Sequence, residues 1–227
     1  ALPSRLGTID MRHEAEMSLW LSKYCPSAVV KTHAHVKIGS EIEIYMDYSG
    51  LDLFNLIVQK VAIDKTSIAV QLLRALRLLH ELRVTHGDIK LENILMDSQG
   101  HIILTDFGLS KPDIDKSGGA ATFCGTAEYI APEILQGERY GPNVDWWSFG
   151  ILLYEMMNGR TPFYNKNKKL MYYNITHKPP DFDAKVYGPE AQEVIRGLLS
   201  LDVKSRLGSG GMQQIHATPF FTSIDRK

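Results

Sequence analysis

Features typical of three protein classes are scarce in this chain. Its 227 residues include two cysteines, Cys25 and Cys124, which cannot build the disulfide framework of a small secreted protein, so a reducing compartment is expected. The net charge is −1, which gives no support for nucleic acid or an anionic membrane as the main partner. No apolar run approaches the roughly 18 residues of a membrane helix, and residues 1–10 show no signal-peptide pattern. We therefore expect a cytoplasmic or nuclear protein without a membrane span.

What is present is an ordinary globular composition, with 44% hydrophobic and 22% charged residues, enough for a sizeable core. We find no internal repeat and no low-complexity linker. Residues 41–46 alternate between apolar and polar, the period of a half-buried strand, whereas the leucines of residues 66–82 recur at helical spacing. Strands are predicted over residues 28–38 and 41–47, and helices over residues 11–22, 51–60, 66–82, 143–158, 169–177 and 189–200.

The order of these elements predicts two unequal lobes. Strands come early and long helices come late, which favours a small β-rich lobe over residues 1–48 followed by a mainly helical lobe over residues 49–227. A cleft is expected between the two lobes. Between the long helices, residues 84–112 carry glycine, aspartate and asparagine in short strands and loops, where a rigid scaffold can present functional groups.

Two short motifs in this segment carry most of the chemistry. Residues 85–93 read Thr-His-Gly-Asp-Ile-Lys-Leu-Glu-Asn and residues 106–108 read Asp-Phe-Gly. Asp88 can accept a proton, Asn93 and Asp106 supply the oxygen ligands that magnesium prefers, and Lys90 adds a positive charge. Phosphoryl transfer needs mainly positioning and charge neutralisation, which such groups provide.

Further motifs follow in a recognisable order. They are Thr-Phe-Cys-Gly-Thr-Ala-Glu-Tyr at residues 122–129, Ala-Pro-Glu at 131–133, Asp-Trp-Trp-Ser-Phe-Gly at 145–150 and Lys-Ser-Arg-Leu-Gly at 204–208. Together with the first two motifs they resemble the eukaryotic protein-kinase family over nearly the whole chain. Residues 122–129 and 145–150 look most like the AGC branch, and the segments around Asp88 and Asp106 are similar to the catalytic domains of its ribosomal-protein and mitogen- and stress-activated members.

The resemblance implies an α+β, bilobal protein-kinase fold and an ATP- and Mg²⁺-dependent protein serine/threonine kinase. It implies protein substrates and an upstream activating kinase. The residues that it marks as catalytic are Asp88, Lys90, Asn93 and Thr126, with Asn93 and Asp106 as magnesium ligands. ATP is expected against Met46, Tyr48, Asp52, Asn93 and Asp106. Structural roles fall to Glu16, His86, Phe107, Glu133, Asp145 and Arg206, with His86 packed beneath Phe107 and Glu133 paired with Arg206.

Substrate choice is expected to depend on acidic residues beside the docking groove. Asp52, Glu92 and Glu155 lie where the AGC branch places carboxylates that pair with arginines upstream of the target hydroxyl, and Glu128 belongs to the same docking loop. Paired arginine–carboxylate hydrogen bonds are strong and directional. The resemblance therefore implies a Ser/Thr target with basic residues upstream. The alternative interpretation is that these are unrelated surface acids.

Other motifs have ordinary alternatives as well. Asp88 and Asp106 could be solvated loop carboxylates, and Lys90 a surface lysine, although the surrounding motifs favour the kinase roles. His33 and His35 lie two residues apart, but two histidines on one face of a strand need further ligands to hold a metal. Both cysteines are expected to be unreactive thiols.

One departure from the family lies inside the first motif. The family has an arginine between the histidine and the catalytic aspartate, and this chain has Gly87. That arginine is the family's main cation for a phosphate on the activation segment, where Thr122 is the phosphosite implied by the resemblance. Phosphate would add about −1.5 to −2 charge, which orders a loop only where cations meet it. Lys111 is a second candidate cation. We predict that activity depends less on Thr122 than it does in relatives with the arginine.

A second departure is the absence of the family's Gly-rich loop and ATP-anchoring lysine from residues 1–40. Truncation, omission of a segment and true loss are three explanations. Glu14 or Glu16 would pair with that lysine, and the spacing to Leu19 and Trp20 favours Glu16. Two functions remain open: an active Ser/Thr kinase, or a pseudokinase that serves as a nucleotide-binding or scaffolding module. The retained Asp88, Lys90, Asn93 and Asp106 favour the enzyme, whereas Gly87 and the missing strands favour the module.

Overall fold

The computed structural model describes residues 11–39, 41–112 and 126–223. In this part of the chain the helices are α1 (Met11–Tyr24), α2 (Leu53–Val58), α3 (Lys65–Glu81), α4 (Pro132–Leu135), α5 (Asn143–Asn158), α6 (Lys168–His177), α7 (Pro189–Leu198), α8 (Gln213–His216) and α9 (Pro219–Thr222). The strands are β1 (Thr32–Ile38), β2 (Glu41–Met46), β3 (Leu51–Asp52), β4 (Val84–Thr85), β5 (Ile94–Met96), β6 (Ile102–Leu104) and β7 (Lys111–Pro112). A 3-10 turn over Leu91–Asn93 precedes β5. The predicted α+β architecture is confirmed.

The small lobe consists of α1 and an antiparallel pair, β1 and β2. One face of α1 is buried through Ala15, Ser18, Leu21 and, just after the helix, Cys25. These residues recur three or four positions apart, which places them on one side of a helix with 3.6 residues per turn. The face of α1 that carries these residues therefore packs against the rest of the molecule.

A backbone bridge joins the small lobe to the functional segment. The amide of Val30 donates to the carbonyl of Leu104 at 2.9 Å, and the amide of Leu104 donates to Ala28 at 2.9 Å. Leu104 belongs to β6, which pairs with β5, and β5 pairs with β3, all antiparallel. This small sheet fixes the backbone just after Asn93 and just before Asp106.

The large lobe packs around α3 and α5. Asp64 caps α3 by accepting from the amides of Thr66 and Ser67 at 3.0 and 3.1 Å, which satisfies donors that a helix start leaves unpaired. Buried side chains line α5 on all sides, as expected for a helix in the centre of a core. Gly159, at φ 75°, ends α5 in the left-handed conformation that glycine adopts without strain.

The long elements match the predicted ranges closely. The residues of α5 are those predicted, while α1 extends two residues further than predicted and β1 begins later than the predicted residue 28. In the described residues, no helix is long and apolar enough to cross a bilayer. The boundary between the two lobes at residue 48 stays a prediction.

Candidate active site

Asp145 organises the backbone of the loop between β4 and β5. It lies at the start of α5, fully buried, and accepts from the amides of His86 and Gly87, both at 2.9 Å. His80 donates to the same carboxylate at 2.8 Å. Burial works to raise the pKa of Asp145, but the hydrogen bonds and nearby histidines outweigh it, and the pKa is lowered. An ionised Asp145 thus holds the loop from beneath.

His86 is fully buried and packs against Phe107, with ring centroids 5.0 Å apart. The amide of Asp88 donates to its Nδ1 at 3.3 Å, and its Nε2 lies 3.2 Å from the carbonyl oxygen of Thr105. Since Nδ1 accepts and a carbonyl can only accept, the proton is on Nε2 and the ring is neutral. Burial lowers the pKa of His86, which makes it a structural support in the neutral form.

Gly87 occupies a backbone conformation that favours glycine. Its φ is 81°, and a Cβ built there would lie 3.0 Å from the carbonyl oxygen of Leu109. A side chain at this position would meet both the strain of positive φ and a close backbone oxygen. The departure from the family's arginine therefore relieves strain in the loop while it removes a cation.

The carboxylate of Asp88 lies at the centre of a polar network. Lys90 Nζ donates to Oδ2 at 2.6 Å, and Thr126 donates to Oδ1 through its amide at 3.0 Å and through its hydroxyl at 3.2 Å. Lys90 also donates to the Thr126 hydroxyl at 2.9 Å. Asn93 Nδ2 completes the set at 3.1 Å from Oδ2. The structure thus brings together all four residues predicted to be catalytic.

The two predicted magnesium ligands lie at the same end of the antiparallel pair β5 and β6, with Asn93 just before β5 and Asp106 two residues after β6. Asn93 donates both of its side-chain hydrogen bonds through Nδ2, which leaves the amide oxygen Oδ1 as a ligand atom. Asp106 has a φ of 64°, an uncommon conformation that aspartate tolerates better than most residues. The amide of Thr105 donates to the carbonyl of Asn93 at 3.1 Å, which ties the two positions together.

The glutamate of α1 that faces the site is Glu14, so the preference for Glu16 is wrong. Glu14 is partly buried, and its pKa is raised by burial and by the negative charge of Asp106. Glu16 is exposed and pairs with Arg12 at 2.8 Å. At about 100° per residue, Glu14 lies near the buried Ser18 on the helix surface and Glu16 lies almost opposite. The apolar spacing around Leu19 and Trp20 misled the prediction because both side chains are exposed.

The neighbouring His13 also connects α1 to the functional segment. Its Nε2 lies 2.7 Å from the carbonyl oxygen of Ser110, just after the Asp106-Phe107-Gly108 turn. The Ser110 hydroxyl in turn donates to the carbonyl of Phe107 at 2.6 Å. The position of α1 is therefore linked directly to the backbone that carries Asp106.

Three of the predicted substrate-binding acids lie near one another: Glu92, Glu128 and Glu155. Tyr129 donates from its hydroxyl to Glu155, and Ser148 donates to the carbonyl of Tyr129 at 3.0 Å. Burial raises the pKa of Glu155, as do the charges of Glu128 and Glu92, against the lowering effect of the Tyr129 hydroxyl. This region favours a positively charged ligand.

The remaining predicted binding residues have more ordinary surroundings. Asp52 caps α2, accepting from the amide of Asn55 at 2.8 Å and from its side chain at 2.6 Å. Met46 ends β2 and is 40% exposed, while Tyr48 is 86% exposed. The structure brings none of these three into the polar network of Asp88. Their predicted contacts with ATP or substrate therefore remain predictions.

Far from the loop, the predicted ion pair between Glu133 and Arg206 is present. Arg206 donates to the two carboxylate oxygens at 2.7 and 2.8 Å, with both residues buried. Arg206 also donates to the carbonyl of Asn143 at 3.0 Å and lies over the ring of Trp147. The pair ties α4 to the start of α5, which carries Asp145.

Sequence reasoning did not find three residues that complete the site: His80, His13 and Thr161. Their bonds to Asp145, to Ser110 and to Glu128 join segments distant in sequence. The sequence offered one clue to such residues, a polar side chain next to a predicted functional residue. Of the three, only His13 has it, because it lies beside Glu14. Thr122, Cys124 and the start of the docking loop lie outside the described residues.

Lys111, the second candidate cation for a phosphate, has other partners. Its Nζ donates to the Tyr140 hydroxyl at 2.9 Å and lies 5.1 Å from the centroid of the same ring. A phosphate contact would require this arrangement to change or to be shared.

Comparison with known proteins agrees with this geometry. The family model described as the protein kinase domain matches residues 7–221. The chain belongs to the protein kinase family. The kinase is 48% identical over 157 residues to the serine/threonine-protein kinase gad8 of Schizosaccharomyces pombe, an alignment that covers 69% of this chain and 27% of gad8.

Two further relatives agree. The kinase is 49% identical over 157 residues to YPK2/YKR2 of Saccharomyces cerevisiae, covering 69% of this chain and 23% of that protein. It is 40% identical over 202 residues to serine/threonine-protein kinase Sgk1 of Bos taurus, covering 87% of this chain and 47% of Sgk1. These relatives place the kinase in the AGC branch. The chain spans less than half the length of each of the three, and the finer placement with the ribosomal-protein and stress-activated members stays a prediction.

Proposed function

We propose that this kinase transfers the γ-phosphate of ATP to serine or threonine hydroxyls of proteins. The observation that carries the proposal is the network on Asp88, whose two carboxylate oxygens are held by Lys90, Thr126 and Asn93. A carboxylate held in this way is pre-positioned for proton transfer, and pre-positioning is the main contribution of the protein in phosphoryl transfer. The names of the relatives gad8 and Sgk1 agree with the acceptor class.

Each group of the network has a defined task in this proposal. Asp88 accepts the proton of the substrate hydroxyl as the oxygen attacks phosphorus. Lys90, which contacts both Asp88 and Thr126, places a positive charge beside the phosphate that moves. Thr126 fixes the docking loop to the same carboxylate. The substrate hydroxyl and the proton-accepting Asp88 are therefore held in a fixed position relative to each other.

The donor atoms fit a magnesium ion bound together with phosphate. Asn93 Oδ1 and the Asp106 carboxylate are hard oxygen ligands, and no cluster of three or more acidic, histidine or cysteine side chains suited to a metal occurs among the described residues. Magnesium commonly takes one or two protein ligands and completes its shell with phosphate oxygens and water. Asn93 and Asp106 would hold the ion, which would neutralise charge on the phosphates.

The substrate class follows from the acids around Tyr129. Burial raises the pKa of Glu155, and the negative charges of Glu128 and Glu92 add to the rise. An arginine upstream of the target hydroxyl would neutralise this charge and could form paired hydrogen bonds. Asp52 contributes if its carboxylate accepts a third partner besides the two bonds from Asn55. A peptide array without any gain from upstream arginine would refute this preference.

Activation by an upstream kinase at Thr122 is part of the proposal, with weak dependence expected. Gly87 provides no cation, and Lys111 is engaged by Tyr140. Asp145 holds the catalytic loop through backbone amides instead. Thr122→Ala should therefore lower turnover only partially, and total loss of turnover in that variant would contradict this expectation.

A second candidate function, a nucleotide-binding or scaffolding pseudokinase, has its own supporting observation. Glu14 and Asp106 repel each other, and no described lysine or arginine forms an ion pair with either residue. In this candidate the site binds nucleotide but lacks a complete set of cations for the reaction. The retained network on Asp88 favours the enzyme.

The test is a phosphotransfer assay on the full-length protein with Mg-ATP and a serine peptide that carries upstream arginines. Asp88→Asn removes the proton acceptor and is expected to lower turnover about 10²- to 10⁴-fold. Asp97→Asn makes the same change in an exposed turn distant from the site and should have little effect. Equal transfer by wild-type and Asp88→Asn protein would refute the enzyme.

A further inference from the structure

Thr161 is a buried polar residue to which the catalytic mechanism gives no task. It lies in the turn after α5 and is 3% exposed. Its hydroxyl donates to Oε2 of Glu128 at 2.6 Å. This bond joins the turn after α5 to Glu128 of the docking loop, two positions 33 residues apart. A buried hydroxyl that contacts a carboxylate in a substrate region points to a role in recognition.

The carboxylates of Glu155 and Glu128 are held by different hydroxyl groups. Glu155 is held by the hydroxyl of Tyr129, and Glu128 is held by the hydroxyl of Thr161. Among the described residues no lysine or arginine forms an ion pair with Glu92, Glu128 or Glu155. In these two bonds each carboxylate uses only Oε2, which leaves Oε1 for a ligand, and each depends on a different hydroxyl for its orientation.

On the basis of the kinase activity proposed above, we propose that Thr161 is a positioning residue for substrate selection. Its hydroxyl fixes the carboxylate of Glu128 in the orientation that receives one basic side chain of the protein substrate. Glutamate has several rotatable bonds, and ordering them on binding costs affinity. Threonine is β-branched and stiff at χ1, and burial holds Thr161 in place.

The proposed role has a narrow signature. Thr161 contacts Glu128 and not Glu155, Asp88 or Lys90. Loss of its hydroxyl should therefore weaken the preference for arginine at a single upstream position of the peptide and leave the other upstream positions unchanged. The change should appear in KM more than in kcat, because the oriented carboxylate contributes to binding rather than to the proton transfer at Asp88.

The experiment measures kcat and KM for the full-length protein with Mg-ATP. The substrates are a serine peptide with several upstream arginines and a set in which each arginine is replaced in turn by alanine. Thr161→Val keeps the shape and removes the hydroxyl, while Thr161→Ser keeps the hydroxyl. Thr176→Val is the matched control, since the Thr176 hydroxyl donates to the Tyr172 carbonyl of its own helix at 2.9 Å.

We expect Thr161→Val to raise KM about three- to tenfold for the full peptide, the range of one ordinary hydrogen bond, because the lost bond orients Glu128 and does not itself contact the peptide. The increase should vanish on the one peptide that lacks the arginine read by Glu128. Thr161→Ser should restore the wild-type KM, and Thr176→Val should not change it. If Thr161→Val does not fold, Thr161→Ala replaces it, with the same expectation.

Three results would overturn the inference: an equal rise of KM on every peptide, a fall of kcat at constant KM, or an unchanged KM. If the wild-type protein transfers phosphate but its KM is independent of Thr161, only this inference fails. If the wild-type protein transfers no phosphate to any peptide, the proposed kinase activity fails and this inference fails with it.

Discussion

The two halves of the candidate site differ in how their carboxylates are satisfied. In the large lobe, Asp88 and Asp145 each receive several hydrogen bonds from the chain itself. In the other half, burial raises the pKa of Glu14, and the like charge of Asp106 adds to the rise. The first half is therefore complete as folded, whereas the second half gains most from an added cation.

The difference shows which part of the site is set by folding and which by ligands. A buried carboxylate with complete hydrogen bonds makes its surroundings rigid. Two neighbouring carboxylates without a cation instead destabilise the folded state, and a bound cation removes that cost. Magnesium bound with ATP, or the lysine that the family uses beside this glutamate, would supply that cation. Substitutions in the first half should therefore cost stability, and those in the second half should cost little or even stabilise.

The largest effect is expected from the buried pair of Glu133 and Arg206. Arg206→Met leaves the Glu133 carboxylate buried without its partner, which should lower the free energy of unfolding by about 3–5 kcal/mol. Arg77→Met removes the exposed partner of Glu81 and should cost at most about 0.5 kcal/mol. Chemical denaturation of both variants measures this contrast, and equal losses would show that burial does not control the cost.

A second effect concerns acid and His86. The folded protein holds His86 neutral with a lowered pKa, whereas the unfolded chain binds a proton near the ordinary pKa of about 6.5. Because the unfolded state then binds more protons, stability should fall as the pH drops below about 6.5, by up to about 1.4 kcal/mol per pH unit for this one group.

The comparison that isolates His86 is the variant His86→Phe, which keeps an aromatic ring beside Phe107 and cannot take a proton. Its stability should depend less on pH between about 6.5 and 5. Asp145, whose pKa is lowered, should affect stability only at more acid pH, since its stabilising charge is lost as the pH falls below about 4. If the free energy of unfolding depends on pH as steeply in the variant as in the wild-type protein, His86 is not the cause of the acid destabilisation.

A smaller effect is expected at Gly87. Gly87→Ala introduces a Cβ at φ 81° and 3.0 Å from the Leu109 carbonyl oxygen, and should cost about 1–2 kcal/mol of stability. Gly100→Ala has a similar φ of 84° but open space around the Cβ, and should cost about 1 kcal/mol. The difference between their unfolding free energies measures the close contact. Equal costs would show that the backbone conformation alone accounts for the loss of stability.

The smallest effect, and the one of opposite sign, is expected at Glu14. Its raised pKa means that stability is fully present below the ordinary pKa and falls as the pH rises through the higher folded value. Glu14→Gln should therefore stabilise the nucleotide-free protein at pH 7 by a few tenths of a kcal/mol, because solvent screens a partly exposed pair.

Glu16→Gln is the matched control for Glu14→Gln. Glu16 lies on the opposite side of α1, where its described partner is the exposed Arg12, so its substitution should be neutral or slightly destabilising. Thermal unfolding without nucleotide separates the two variants. If Glu14→Gln destabilises the protein instead, the like-charge description of this half of the site is wrong.

Patterns repeated along the chain and contacts implied by the family resemblance could be predicted, whereas single contacts that lack both signals could not. The helices α3 and α5 follow from apolar spacing and from Gly159, whereas the Asp88 network and the pair of Glu133 and Arg206 follow from the family resemblance. The choice between Glu14 and Glu16 failed because it depends on which face of α1 is buried, and the buried face includes the polar Ser18.

The roles of His80 and Thr161 could not be read from the sequence for another reason. Each makes one hydrogen bond to a residue distant along the chain, at Asp145 and Glu128 respectively. A lone histidine or threonine in a helix or turn has no periodic signal, and only the assembled fold brings it to its partner. The neutral form of His86 likewise depends on the positions of two backbone groups.

Hydrogen exchange of backbone amides with and without Mg-ATP tests the contrast between the two halves most directly. The amides of His86, Gly87, Asp88 and Thr126 all donate within the folded chain. They should be protected in the nucleotide-free protein and gain little on addition of Mg-ATP, whereas α1 around Glu14 should gain protection. Catalytic-loop amides that exchange freely until Mg-ATP is added would contradict a catalytic half that is complete as folded.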